Sequence, residues 1–115
     1  MAHFDPLTTN AVDLAGLLDS NQLTSIDIVT QYLEQISIRN PSLRAFISIA
    51  ARDSLLSIAS ELDIERRQGR LRSPLHGIPI AIKDVFITAS SLGMPTTAGS
   101  PALVNAKAST NSPIC

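Results

Sequence analysis

The sequence predicts an α/β fold in which two N-terminal helices precede a βαβ unit whose sheet is left incomplete. Three observations carry this prediction. Apolar residues recur at helical spacing in two stretches before residue 40 and again over residues 55–62. The period switches to alternation over Leu43–Ala50, which is the pattern of a strand. A short β-branched run, Ile78-Pro79-Ile80-Ala81-Ile82, then ends abruptly in Lys83-Asp84.

Asn10 is placed to cap a first helix over 11–19, with Val12, Leu14, Leu17 and Leu18 on its apolar side, and Ser20-Asn21-Gln22 breaks it. Thr24-Ser25-Ile26-Asp27 has the form of a capping box, a hydroxyl followed three residues later by a carboxylate. Behind it Val29, Tyr32, Leu33 and Ile36 fall on one helical face, predicting a second helix over 25–39. Asn40-Pro41 is expected to stop that helix, because the residue before a proline is pushed out of the α region.

A mostly buried strand is expected over 44–49, where Ala45, Ile47 and Ile49 alternate with Phe46, Ser48 and Ala50. The third helix, 51–68, follows from the stripe Leu55, Ile58, Ala59 and Leu62, with Gly69 as its C′ residue. The second strand, 79–83, is introduced by the His76-Gly77 turn, and Pro79 suits its first position, where a missing N–H does least harm. Strand, helix, strand in this order implies parallel strands joined by a right-handed crossover. Such a sheet needs both faces covered, and two N-terminal helices cover only part of it. Residues 88–115 form a turn-rich loop, crowded with Ser, Thr, Gly and Pro and then polar and aperiodic.

At 115 residues and 44% hydrophobic, the chain suffices for one small core, and with 3% aromatic residues that core must be aliphatic. A net charge of −1 gives no reason to expect nucleic acid or an anionic membrane as partner. Arg66, Arg67, Arg70 and Arg72 cluster at the end of the third helix, but no aromatic residue is interleaved to stack on bases, and cations favour a helix C-terminus in any case. No apolar segment reaches membrane-spanning length and no leader pattern opens the chain, so a cytoplasmic protein is expected. The single cysteine, Cys115, excludes an internal disulfide. His3 and His76 are too few and too far apart to suggest a metal, and no cofactor is expected.

Lys83 stands where a buried strand would leave the sheet, and in open α/β sheets the carboxyl ends of strands are where sites are built. Two readings of it stay open. One is a solvated end-of-strand charge paired with a neighbour such as Asp84. The other is a desolvated amine whose lowered pKa lets it act as a general base. Ser91 and Ser100 are poor candidates for a nucleophile, since neither sits in a G-x-S-x-G elbow.

Several blocks in order now add to that reading. They are Leu23-Thr24-Ser25, Tyr32-Leu33, Ile36, Asn40-Pro41, Leu43-Arg44-Ala45, Leu62-Asp63, Glu65-Arg66, Gly69-Arg70, Arg72, Pro74-Leu75-His76-Gly77-Ile78-Pro79, Lys83-Asp84 and Gly93-Met94-Pro95-Thr96-Thr97-Ala98-Gly99-Ser100. Together they resemble the amidase signature family, from about Asp13 to the end of the loop. Two departures, Ser73 for the usual glycine and Val85 after Lys-Asp, remove no reacting group.

The resemblance implies an α/β/α domain, residues 1–115 forming its N-terminal part, that hydrolyses or transfers amides. It also implies a catalytic set of a lysine, a bridging serine after a cis peptide, and a nucleophilic serine. Lys83 aligns with the lysine. The two serines and the glycine-rich oxyanion segment of the family lie further downstream, and no Gly-Ser-Ser-Gly-Gly-like segment occurs here. The expectation is therefore an amide hydrolase truncated before its nucleophile and inactive alone, taking a small-molecule amide only when completed by a downstream segment. The alternatives are a non-enzymatic module that binds a partner through its exposed sheet edge, or a fragment of a tRNA-dependent amidotransferase subunit.

Overall fold

The computed structural model describes residues 3–83. They hold three helices: α1 (Ala11–Asp19), α2 (Ser25–Leu43) and α3 (Arg52–Arg67). One compact unit contains all three, running to Ala45 and resuming over Arg52–Pro79, while Phe46–Ala51 and, among the described residues, 80–83 belong to a second unit.

Each helix terminus described below is closed by a local device. Asn10 caps α1 by accepting the Asp13 N–H on Oδ1 at 2.9 Å. The far end of α1 closes in a Schellman motif, with Asn21 at φ +57 and the Gln22 N–H donating to the Leu17 carbonyl at 2.9 Å. Asn takes the left-handed role that glycine usually fills, as its short polar side chain allows. At α3 the same motif uses Gly69 at φ +76, and the Arg70 N–H donates to the Glu65 carbonyl at 2.9 Å.

Helix α2 carries the capping box: the Asp27 N–H donates to Thr24 Oγ1 and the Thr24 N–H returns to Asp27 Oδ2 at 3.0 Å. It continues past the expected stop at residue 39 and runs through Asn40-Pro41 to Leu43. Pro41 lies in the last turn, where its ring removes a single helical bond. Arg44 closes the helix in the left-handed region at φ +49, with its N–H on the Asn40 carbonyl.

The core is built from Phe4, Leu14, Leu18, Leu23 and Ile28, with Leu17, Tyr32 and Ile78 packed against it. Full burial of a Leu or Ile side chain contributes about 1.5–3 kcal/mol, so this cluster is what holds α1 on α2. Phe4 is brought in by a turn in which Asp5 accepts the Leu7 N–H and the Thr8 hydroxyl, both at 2.9 Å, and its ring meets Tyr32 at 5.7 Å between centroids. Helix α3 packs along α2 through its own face, on which Ala59 and Asp63 are buried.

The expected strands over 44–49 and 79–83 are absent among the described residues, where both stretches are irregular. A strand exists only as part of a ladder, and neither stretch belongs to a ladder among the described residues. The buried faces expected of them are likewise missing: Ile47 is 83% exposed and Ile80 74%. With no sheet among the described residues, the βαβ unit, its parallel strands and its exposed sheet edge have no counterpart there. The loop expected over 88–115, with Ser91, Ser100 and Cys115, lies outside the described residues, as does Asp84.

Candidate functional site

The first four N–H groups of a helix have no partner within it. At α2, Asp27 and Thr24 satisfy part of that need, and a residue of α3 supplies more. Asp63, 8% exposed, accepts the Ser25 N–H on Oδ1 at 2.7 Å and the Ile26 N–H on Oδ2 at 3.3 Å. A buried carboxylate is costly unless hydrogen-bonded, and the positive end of the helix dipole adds to its stabilisation. Asp63 thus joins α3 to the start of α2 by a charge-assisted pair of bonds.

One turn further along α3, Arg66 reaches in two directions. Its Nη1 pairs with the Asp19 carboxylate at the end of α1, and its Nη2 donates to the His76 carbonyl at 3.0 Å. The His76 ring is 3% exposed and bonded at both nitrogens. Nδ1 accepts the Arg72 N–H at 3.1 Å, so the ring proton must be on Nε2, which donates to the Leu62 carbonyl at 2.8 Å. The His76 N–H in turn donates to the Ser73 carbonyl at 3.1 Å.

Gly77 follows at φ +83, and its Cα lies against the start of α2. A Cβ built there would collide with Ser25 Oγ and come within 3.3 Å of Ser25 Cβ. Ser25 is fully buried beneath it, with its hydroxyl unpartnered. Ile78 then packs on the core cluster. The loop between α3 and Pro79 is thus seated on all three helices: on α1 through Arg66 and Asp19, on α2 through Ser25, and on α3 through Leu62.

The arginines at the end of α3 are largely engaged within this scaffold. Arg72 forms a two-point pair with Glu65, Nε to Oε2 at 2.8 Å and Nη2 to Oε1 at 2.6 Å. Its hydrogen bond holds the Glu65 carboxyl below its ordinary range, and the Arg72 charge adds to the shift. Arg70 donates to Gln68. Arg66 and Arg72 therefore serve the helix end and the loop, while Arg67 is exposed.

Lys83 is exposed and has no partner among the described residues. It is the residue that the sequence offers as catalytic, and it belongs to the second unit, whereas Asp63, Arg66, His76 and Gly77 belong to the first. Sequence reasoning missed the interplay of those four residues. Its signal was the Leu62-Asp63, Glu65-Arg66 and Leu75-His76-Gly77 blocks, which combine apolar neighbours with polar groups that need buried partners. Among the described residues no three His, Cys, Asp or Glu side chains come together as a metal site, and no helix is long and apolar enough to cross a membrane.

The class of arrangement is a helical scaffold with a firmly seated loop, from which an apolar, lysine-ended segment continues. The Amidase family model matches residues 27–115, and the chain belongs to that family, the amidase signature family. A glutamyl-tRNA(Gln) amidotransferase subunit of Renibacterium salmoninarum is 39% identical over 94 residues, which is 82% of this chain and 17% of that protein. The crystal structure of peptide amidase from Stenotrophomonas maltophilia is 41% identical with a TM-score of 0.72, covering 87% of this chain and 20% of that one. The structure of the peptide amidase PAM with the competitive inhibitor chymostatin is 40% identical with a TM-score of 0.75, covering 90% and 21%. The chain thus spans about a fifth of the length of the relatives it matches.

Proposed function

We propose that this chain is the N-terminal segment of an amide-hydrolysing enzyme and that Lys83 is its general base. Family membership over residues 27–115 carries the reading, together with the place of Lys83 directly after an apolar segment that follows a seated loop. The finer architecture proposed with it is an α/β/α layer in which 44–49 and 79–83 become strands once the remainder of the domain pairs with them.

In the proposed reaction Lys83 acts as a neutral amine. It takes a proton relayed through a bridging serine hydroxyl from the nucleophilic serine, and that serine attacks the amide carbonyl to form a tetrahedral oxyanion. The leaving amine takes up a proton as the carbon–nitrogen bond breaks, and water then releases the acyl group from the serine. Lys83 is exposed on the described chain, and the chemistry requires the downstream part of the domain to cover it and exclude water. Both serines belong to that downstream part. The 115 residues alone are therefore proposed to hydrolyse no amide, and the substrate is a small molecule or peptide carrying an amide.

A second reading, the corresponding segment of an amidotransferase, is favoured by the 39% identity to the Renibacterium protein. Both readings place the same lysine at the chemistry and differ in the fate of the released nitrogen, which leaves to solvent in one and is passed on to a second acyl group in the other. The test is to assay the 115-residue chain and the longest product of its gene on peptide amides and on glutamine. The reading expects no hydrolysis by the short chain and hydrolysis by a longer product. Sustained turnover by the purified 115 residues, lost on Lys83→Ala, would overturn the need for a downstream nucleophile.

A further inference from the structure

We propose that His76 is a positioning residue for the lysine segment, acting as a neutral imidazole locked in its Nε2–H form. The inference rests on the reading of Lys83 as base and adds a residue that acts through the backbone rather than on the substrate. Its ground is the convergence of bonds on one residue. The ring ties the Leu62 carbonyl of α3 to the Arg72 N–H across the loop, at 2.8 and 3.1 Å. The carbonyl of the same residue is held by Arg66, itself paired with Asp19. The next residue, Gly77, sits on Ser25 at a distance that leaves no room for a side chain. The chain that leads to Lys83 continues from Ile78-Pro79, so these contacts fix the backbone at the point from which it leaves.

The bonds of the ring leave it little other use. It is buried, and both nitrogens are spent on backbone partners. A protonated ring would aim two N–H groups outward, one of them at the Arg72 N–H, and the other tautomer would also set donor against donor there. Only one protonation state and one tautomer satisfy both partners. An apolar residue of similar size would fill the space but leave the Arg72 N–H and the Leu62 carbonyl unpaired, and the loop would lose its fixed path.

Positioning and stability are separated by the choice of variants. His76→Asn places an acceptor where Nδ1 stands and keeps the tie to Arg72. His76→Ala loses both ties. Leu14→Ala removes a core side chain of α1 that makes none of the hydrogen bonds of the loop and serves as a control of comparable destabilisation. In the full-length amidase that carries this segment, kcat and KM are measured well below the midpoint of unfolding of every variant. The expected result is a loss of kcat on the order of 10²-fold in His76→Ala, since small misplacements of a reacting group cost that much. KM should change little, His76→Asn should recover a large part of the loss, and Leu14→Ala should keep kcat within about twofold.

A His76→Ala enzyme with kcat as in Leu14→Ala would make His76 purely structural and overturn the inference, while inactive Lys83→Ala would leave the reading of Lys83 standing. An active Lys83→Ala enzyme would remove that reading first and this inference with it. The second measurement needs no turnover. Nitrogen-15 NMR of the imidazole in the full-length enzyme should show a fixed Nε2–H tautomer, and a Nδ1–H or rapidly averaging ring would overturn the lock.

Discussion

The loop over 70–79 and the stretches 46–51 and 80–83 are alike in being irregular, yet they solve opposite problems. In the loop, polar groups are buried and satisfied: His76 is bonded at both ring nitrogens and at its own N–H and carbonyl. In the other two stretches, apolar side chains such as Ile47 and Ile80 are left in solvent. The difference lies in where the partners are. The loop is seated on α1, α2 and α3, within the same compact unit. Ile47 and Ile80 are exposed on the described chain, and exposed β-branched residues of this kind favour pairing with further chain. A segment can therefore be complete as a scaffold and unfinished as a site. Here the first property belongs to the compact unit of the three helices and their loop, and Phe46–Ala51 and Ile80–Lys83 lie outside it.

The largest expected effect comes from closing the gap between the loop and α2. Gly77→Ala forces a Cβ against Ser25 at a positive φ, and should destabilise the first unit by about 3 kcal/mol. Urea unfolding measures it, and Ser25→Gly in the same chain should return a substantial part by removing the group that is struck. An unchanged midpoint in Gly77→Ala would mean that the loop is not seated on α2 at all.

Next is the tie between α3 and α2. Asp63→Ala strands the N–H groups of Ser25 and Ile26, and is expected to cost about 2 kcal/mol. Asp63→Asn retains an acceptor and should cost less. Equal losses in the two variants, read from the same urea curves, would assign the effect to charge at the helix terminus rather than to the hydrogen bonds.

Smaller again, and opposite in sign, is Arg44→Gly. Arg44 caps α2 with a left-handed backbone, which glycine adopts without the Cβ penalty, so this change should stabilise by up to about 1 kcal/mol. A lower melting temperature would show that the arginine side chain contributes more than its backbone strain costs.

The smallest effect is the pH dependence of the pair between Glu65 and Arg72. The Glu65 carboxyl is held below its ordinary value of 4.5, first by the hydrogen bond from Arg72. A depressed folded pKa gives a contribution that is present above 4.5 and lost as pH falls through the lower folded value. The melting temperature of the parent should therefore fall faster than that of Glu65→Gln below that point. Parallel curves would show that the pair adds nothing to stability.

How much of this is legible in the sequence follows from the range of the interactions. The Thr24–Asp27 capping box, the Asn10 cap and the Gly69 terminus are local, and the residue pattern suffices to place them. Helical spacing also locates the apolar faces, with errors at their edges: Val12 is 80% exposed, and Ile28, outside the expected stripe, is fully buried. The end of α2 escapes the proline rule because that rule describes helix interiors more strictly than last turns. Asp63, Arg66 and His76 stand out in the sequence only as parts of family-like blocks. Most of their partners are ten to forty-seven residues away, and no local pattern encodes them. The strands expected over 44–49 and 79–83 are not formed among the described residues for the converse reason. Alternation over 44–49 gives a residue's suitability for a sheet, while the ladder depends on a partner segment.

The proposed role of Lys83 as general base in amide hydrolysis is tested most directly by one measurement. In the full-length enzyme, kcat/KM for amide hydrolysis is compared between the parent, Lys83→Ala and Lys83→Arg. Losses on the order of 10²–10⁴-fold are expected in Lys83→Ala, the usual worth of a general base. Lys83→Arg should fare no better, because a guanidinium does not give up its proton. Hydrolysis at the parental rate in both variants would contradict this role and return Lys83 to a solvated charge at the end of an apolar run.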